Sequence, residues 1–307
     1  MIRAGPEPPA SAILSGVVAD RVLVSPSPPE LGAQVDMVLV GFLEDKRAEL
    51  AALHPAAPTL AEELLRLVRS GGKRLRPALG YWGYRAAGGV PDDRIMRAAA
   101  SLELFHTFAL IHDDLMDEAD ERRDVATVHA NLRGLHGGDR VRFGVSAAIL
   151  IGDLAAVWAD ELLLTCGFGP SSVVRALARA YAIRRDMAVG QFLDVSGEAG
   201  AGQAAGRLAA NLKGGRYTVT GPLLMGAELA SDGPAGGDLL NALVAFGEPL
   251  GEAFQLRDDL HDGDASHGAT AGTIDQLVTA AETALSTAGA DPVAVAALRE
   301  FAGMVRV

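Results

Sequence analysis

From Val35 onward, the apolar positions Val38, Leu39, Phe42, Leu43 and Leu50 recur at three- and four-residue steps, which puts them on one face of a helix. His54 to Pro58 closes that run. Thr59 and Glu62 have the spacing of a capping box ahead of Leu64, Leu65, Leu67 and Val68, so a short second helix is predicted to begin there and to run into Ser70-Gly71-Gly72. Pro77 is tolerated in the first turn of a third helix through Leu79, Trp82 and Tyr84, which Gly88-Gly89 ends. Asp92 or Asp93 caps a fourth, whose stripe Ala98, Leu102, Phe105, Ala109 and Leu115 is long enough to be largely buried. After an irregular stretch from Arg122 to Arg142, helical patterns cover Val145–Leu164, Val173–Val195, Tyr217–Leu229 and Leu239–Asp262, followed by Gln276–Ser286 and a final helix around Val293–Val307. The pattern predicts an all-α protein with a single helical domain from residue 31 to 307, preceded by a flexible Pro-rich leader over residues 1–30.

Composition narrows the function classes. Of 307 residues 49% are hydrophobic and 21% charged, a globular balance, and aromatics contribute only 5%, which favours helices over strands. The formal net charge of −12 excludes a general affinity for nucleic acid. An anionic small substrate is compatible with it only where basic residues gather locally or bound cations reverse the sign of an acidic pocket. Asp153, Asp160 and Glu161 interrupt the most apolar stretch, Val145–Phe168, so no transmembrane segment is expected. With no signal-peptide order of charge, apolar core and cleavage site, a cytoplasmic protein is expected. The single cysteine, Cys166, reads as a small core residue.

Three charged groupings carry the candidate chemistry. Asp113, Asp114 and Asp117 end the fourth helix, and Asp258, Asp259 and Asp262 repeat the same Asp-Asp-x-x-Asp spacing at the end of another. Carboxylates four apart share a helix face and repel. They read either as solvated acidic helix ends or as ligands for magnesium, a hard cation that takes one or two carboxylates per ion and keeps its waters. The third grouping, Gly71-Gly72-Lys73-Arg74-Leu75-Arg76, combines close backbone approach with a point charge and a planar guanidinium fork, suited to phosphate oxygens. An exposed loop with ordinary charges is its plain alternative. Arg122 and Arg123 follow the first acidic cluster directly and bring more cationic groups to the same region.

Read together, Gly71-Gly72-Lys73-Arg74-Leu75-Arg76-Pro77, Glu103-Leu104-Phe105-His106-Thr107, Leu110-Ile111-His112-Asp113-Asp114-Leu115-Met116-Asp117 and Phe254-Gln255-Leu256-Arg257-Asp258-Asp259 resemble the trans-isoprenyl diphosphate synthase (polyprenyl synthetase) family, in the family's order, from about Val35 to Asp262. The resemblance implies a bundle of helices around a deep apolar cavity, usually as a homodimer. It implies that both aspartate motifs (Asp113, Asp114, Asp117, Asp258, Asp259 and Asp262) hold Mg2+, three ions with the allylic diphosphate bound. Arg122, Lys213 and Gln255 would then contact the allylic substrate, and Lys73, Arg76, His106 and Arg123 the diphosphate of isopentenyl diphosphate. Phe108, with small Ala109 beside it, lies about one turn before Asp113 and would floor the cavity, making geranylgeranyl diphosphate (C20) the first expectation and farnesyl diphosphate (C15) the second. Both His106 and Phe108 also read as ordinary core residues, and packing suffices for His112 and His129.

Departures from the family pattern leave other uses of the cavity open. Gly263 to Ile274 contains no lysine or arginine where the family usually carries a Gly-Lys pair, and this segment is shortened. Asp124 stands where the family's Arg-Arg-Gly-x-Pro-Thr has glycine, and Gly214 follows Lys213 where a hydroxyl residue is common. A divergent class I cyclase or prenyl-group transferase, and a non-catalytic regulatory subunit of a heteromeric synthase, are the alternatives. A merely structural subunit has no physical need for repelling carboxylates, which argues against the last.

Overall fold

Gly80, Gly83 and Gly226 let two helices of this chain cross almost backbone to backbone: a Cβ on Gly83 would strike the Leu223 carbonyl, and one on Gly226 the Gly80 carbonyl. These helices, α3 (Leu75–Ala86) and α9 (Gly221–Glu228), form one wall of an all-helical domain. The computed structural model describes residues 26–262, 269–285 and 290–307. The remaining chain order is α1 (Pro28–Leu53), α2 (Pro58–Arg69), α4 (Asp93–Met116), a two-stranded hairpin β1 (Glu121–Arg122) and β2 (Val125–Ala126), α5 (Val128–Leu132), α6 (Arg140–Leu164), α7 (Pro170–Val195), α8 (Gln203–Ala210), a π-helical stretch Asn211–Thr220 leading into α9, α10 (Gly237–Asp262), α11 (Ala271–Ala284) and α12 (Pro292–Gly303).

Helix α4 runs through the middle, packed on α1, α3 and α6, with Ala98, Leu102 and Phe105 of its stripe buried as the periodicity predicts and Ala109 and Leu115 half-buried. Asp92, not Asp93, caps it, accepting from the Arg94 amide at 2.9 Å. The predicted Thr59–Glu62 capping box does not form. Pro58, pre-set for helical φ, starts α2 two residues earlier with Ala57 at the cap. The box sits instead at the head of α1, where Glu30 accepts from both the amide and the hydroxyl of Ser27 at 2.8 Å. Pro28, Pro29 and Glu30 therefore belong to a helix rather than to the leader, whose residues 1–25 lie outside the described chain.

The stretch Arg122–Arg142, expected to be irregular, holds the hairpin, α5 and the start of α6. Arg123 and Asp124 have φ of 53° and 62°, the left-handed pair that a two-residue hairpin loop requires. Neither is glycine or asparagine, so the usual sequence signal was missing. Cys166 is buried, as expected, and burial pushes its thiol pKa up. Among the described residues no helix is long and apolar enough to cross a membrane.

Candidate active site

A cavity of about 610 Å³ opens between the C-terminal half of α4, α7, α8, the π-helical stretch and α10. Its wall is apolar below, with Phe108, Ala109, Met187, Ala188 and Phe254, and charged toward the ends of the helices, with Asp113, Asp194, Lys213 and Asp258. Eight of the residues singled out in the sequence line it: Arg76, His106, Phe108, Ala109, Asp113, Lys213, Gln255 and Asp258.

The two aspartate motifs divide their labour in the same way. Asp113 faces the cavity, while Asp114 is buried and accepts from Arg122 Nε at 2.6 Å. Likewise Asp258 faces the cavity, and Asp259 is buried and accepts from Gln255 Nε2 at 3.0 Å. Asp117 is the exposed C-cap of α4, and the side chain of Asp262 lies outside the described part of the chain. Burial, and then the Asp113 charge, raise the Asp117 pKa; burial is also the main cause raising that of Asp114. Among the described residues no three acidic, histidine or cysteine side chains converge as a closed metal cage. The donors at the cavity are hard carboxylate oxygens, one from each helix, a set that suits an ion completing its shell with water and phosphate oxygen.

Two cations and an amide hold Asp113 from several sides. Arg122 Nη2 donates at 3.0 Å, Gln191 Nε2 at 3.2 Å, and Lys213 Nζ lies at 3.4 Å while donating to Asp194 at 2.8 Å. Burial opposes the Lys213 charge, but Asp194 and Asp113 outweigh it and hold its pKa above the ordinary lysine value. Arg122 behaves in the same way between Asp114 and Asp113. Arg122 thus grips the carboxylates of both Asp113 and Asp114.

The basic loop is sorted by its backbone. Arg74 has φ of 48°, and this left-handed turn buries its own side chain against Glu103 and Asp36, each at 2.7 Å. Lys73 is left exposed and Arg76 reaches the cavity. Neither Lys73 nor the exposed Arg123 lines the cavity wall. His106 shares a 2.8 Å hydrogen bond with the Tyr217 hydroxyl, and desolvation, reinforced by Arg76, Arg123 and Arg122, pulls its pKa well below the usual value, so it is neutral. His129 is buried between Thr127 and Asp120, a packing role as expected. His112 lines the cavity edge-on to Phe108, with ring centroids 4.7 Å apart.

Sequence reading missed Gln191, Asp194, Tyr217 and Thr218. One signal was available on α7: Gly190 interrupts an otherwise regular helix, and a Cβ there would strike the backbone of Lys213. Gly214 is a departure from the family pattern. A side chain there would collide with Gln255 Oε1, which occupies the space.

The sequence profile of polyprenyl synthetases matches residues 57–273, and so takes in the basic loop, both aspartate motifs and every cavity helix. The chain belongs to the polyprenyl synthetase family. The chain is 31% identical over 233 residues to a geranylgeranyl diphosphate synthase of Methanosarcina mazei, covering 74% of this chain and 67% of that one. It is 34% identical over 203 residues to a (2E,6E)-farnesyl diphosphate synthase of Mycobacterium tuberculosis, covering 62% and 48%. The chain spans just over a third, 37%, of a geranylgeranyl pyrophosphate synthase of Geoglobus acetivorans. Among solved structures, a Corynebacterium glutamicum geranylgeranyl pyrophosphate synthase, in complex with isoprenyl diphosphate and magnesium, superposes with a TM-score of 0.82 at 26% identity, covering 91% of this chain and 99% of that one.

Proposed function

We propose that this member of the polyprenyl synthetase family is a magnesium-dependent prenyltransferase that condenses isopentenyl diphosphate with an allylic diphosphate, giving a trans-prenyl diphosphate of C20 or, second, C15. The observation that carries this reading is the juxtaposition of Asp113 and Asp258, from two different helices, with Lys213 and Arg76 around one apolar-walled cavity. The likeness to geranylgeranyl and farnesyl diphosphate synthases supports it.

Asp113 and Asp258, with their motif partners Asp114, Asp117, Asp259 and Asp262, would hold the metal ions. Bound magnesium supplies positive charge that stabilises a departing diphosphate. Lys213 and Arg122, both kept charged by their aspartates, add fixed cations at the same end. As the allylic carbon–oxygen bond breaks, its electron pair leaves with the diphosphate. The π electrons of isopentenyl diphosphate then form the new carbon–carbon bond, and a proton lost from the adjacent carbon restores a double bond. Proximity does the work of a strong nucleophile. Arg76 and His106 hold the second diphosphate from the cavity wall and Lys73 and Arg123 add charge from outside that wall, Gln255 steadies Asp259 beside the reacting end, and Phe108 with Ala109 sets the depth available to the growing chain. Val141, Val145, Ile149, Leu150 and Val157 leave an exposed apolar face on α6, which supports a homodimer, testable by sedimentation.

The deciding assay supplies magnesium, labelled isopentenyl diphosphate and dimethylallyl, geranyl or farnesyl diphosphate. Longer diphosphates are expected; chelation, Asp113→Ala or Asp258→Ala should cut their formation by several orders of magnitude. Hydrocarbon or prenyl transfer without isopentenyl diphosphate consumption, or turnover indifferent to chelator, overturns the reading. Inactivity alone, combined with an altered product from a co-expressed synthase, would point to a regulatory subunit.

A further inference from the structure

The π-helical stretch does something that an α-helix of the same sequence could not. On an α-helix, residues five apart lie about 140° apart around the axis, so Thr218 would point away from Lys213. With roughly 4.4 residues per turn in the wider π-helix, the same pair is separated by about 50°. Lys213, Tyr217 and Thr218 all line the cavity as a result. Tyr217 and Thr218 meet the same partner there. The Arg76 guanidinium stacks on the Tyr217 ring at 4.1 Å from its centroid, and Arg76 Nη2 donates to Thr218 Oγ1 at 2.8 Å. The far edge of the ring rests on Phe105, and its hydroxyl is tied to His106 at 2.8 Å. Burial pushes the Tyr217 pKa far up, so the phenol stays protonated beside the neutral imidazole. Arg76 Nε is left buried with no partner in the protein, a donor in the cavity wall without an acceptor.

We infer that Tyr217 and Thr218 are positioning residues: they clamp Arg76 by its face and by one of its terminal nitrogens, and thereby present its remaining donors to the diphosphate of isopentenyl diphosphate. The inference rests on the proposed condensation reaction and deepens it. One side of the planar guanidinium is covered by the ring and one nitrogen is engaged by the hydroxyl, so the fork has a fixed orientation before substrate arrives. A bidentate phosphate contact depends on that orientation. Tyr217 also joins Arg76 to His106, so two groups implied for the same diphosphate move as one unit.

Steady-state kinetics with each substrate varied in turn test this. Tyr217→Leu should raise the KM for isopentenyl diphosphate about tenfold and leave the allylic KM within about twofold. Thr218→Val should raise it about threefold to fivefold, and Tyr217→Phe, which keeps the ring, less than threefold. In an Arg76→Lys background, Tyr217→Leu should add less than twofold, because the fork it orients is gone. Equal rises in both KM values, a loss confined to kcat, or full additivity with Arg76→Lys would overturn the inference. Thr218→Val exchanges a hydroxyl for a methyl and carries the same discrimination if Tyr217→Leu fails to fold. A wild-type chain that incorporates no isopentenyl diphosphate defeats the proposed reaction instead. Calorimetric titration with isopentenyl diphosphate then still decides the clamp, since unchanged affinity in both variants refutes it.

Discussion

Removing one partner of the Arg74–Glu103 pair is the perturbation whose size follows most directly from the structure. Arg74 Nη1 meets Glu103 at 2.7 Å with side-chain exposures of 5% and 8%, and Arg74 Nη2 also donates to the Val68 carbonyl at 2.7 Å. Its third partner, Asp36, is 41% exposed and adds little. In Arg74→Met the stranded Glu103 carboxylate sits out of water with its counter-charge gone, which costs about 3–5 kcal/mol, whereas in Glu103→Leu the guanidinium keeps its 2.7 Å bond to Asp36 and the loss should be smaller. At about 2–4 °C per kcal/mol for a domain approaching this size, Arg74→Met should lose at least roughly 6 °C of Tm. Replacing both, as Arg74→Met with Glu103→Leu, removes the stranded charge together with the pair and should recover most of the loss. Urea denaturation and thermal melts of the four proteins give the double-mutant cycle. An Arg74→Met variant within about 1 kcal/mol of wild type, or a double variant as unstable as the two losses added, would refute the claim that this buried pair holds the basic loop in place.

Three further outcomes are expected. Phe108→Ala removes the ring that meets Phe105 and His112 in the cavity wall and should lengthen the product by one or more isoprene units; an unchanged product ends its role as a floor. Asp124→Gly relieves a left-handed residue at φ 62° and should stabilise the fold by about 0.5–1 kcal/mol, whereas a lower Tm would show that the hairpin needs the aspartate. His106 is held neutral in the folded state, so below its ordinary pKa of 6.5 the unfolded chain takes the proton first and stability falls with pH. His106→Gln should therefore flatten the fall in stability between pH 6.5 and 5.5, followed by urea denaturation; an acid limb of equal steepness in the variant contradicts a buried neutral imidazole.

Much of this protein was determined by local chemistry that a linear reading can follow. The 3.6-residue recurrence of apolar positions fixed α4, α6, α7 and α10, because a stripe of Leu, Ala and Phe has only one face to bury. The paired aspartate motifs announced themselves by repulsion that an isolated helix would avoid. Tertiary structure decided what each charge does. Of two neighbouring arginines, Arg74 was turned inward by a left-handed backbone and Arg76 was sent to the cavity, a choice made by Glu103 on another helix. Thr218 escaped notice because it shares the face of Lys213 only on the wider π turn, which no α-helical period reveals. The contribution of Gln191 and Asp194 likewise depends on Gly190 letting the π-helical stretch lie against α7, a contact between segments distant in the chain. Periodicity reports which face of a helix is buried, and only packing reports which neighbour that face meets.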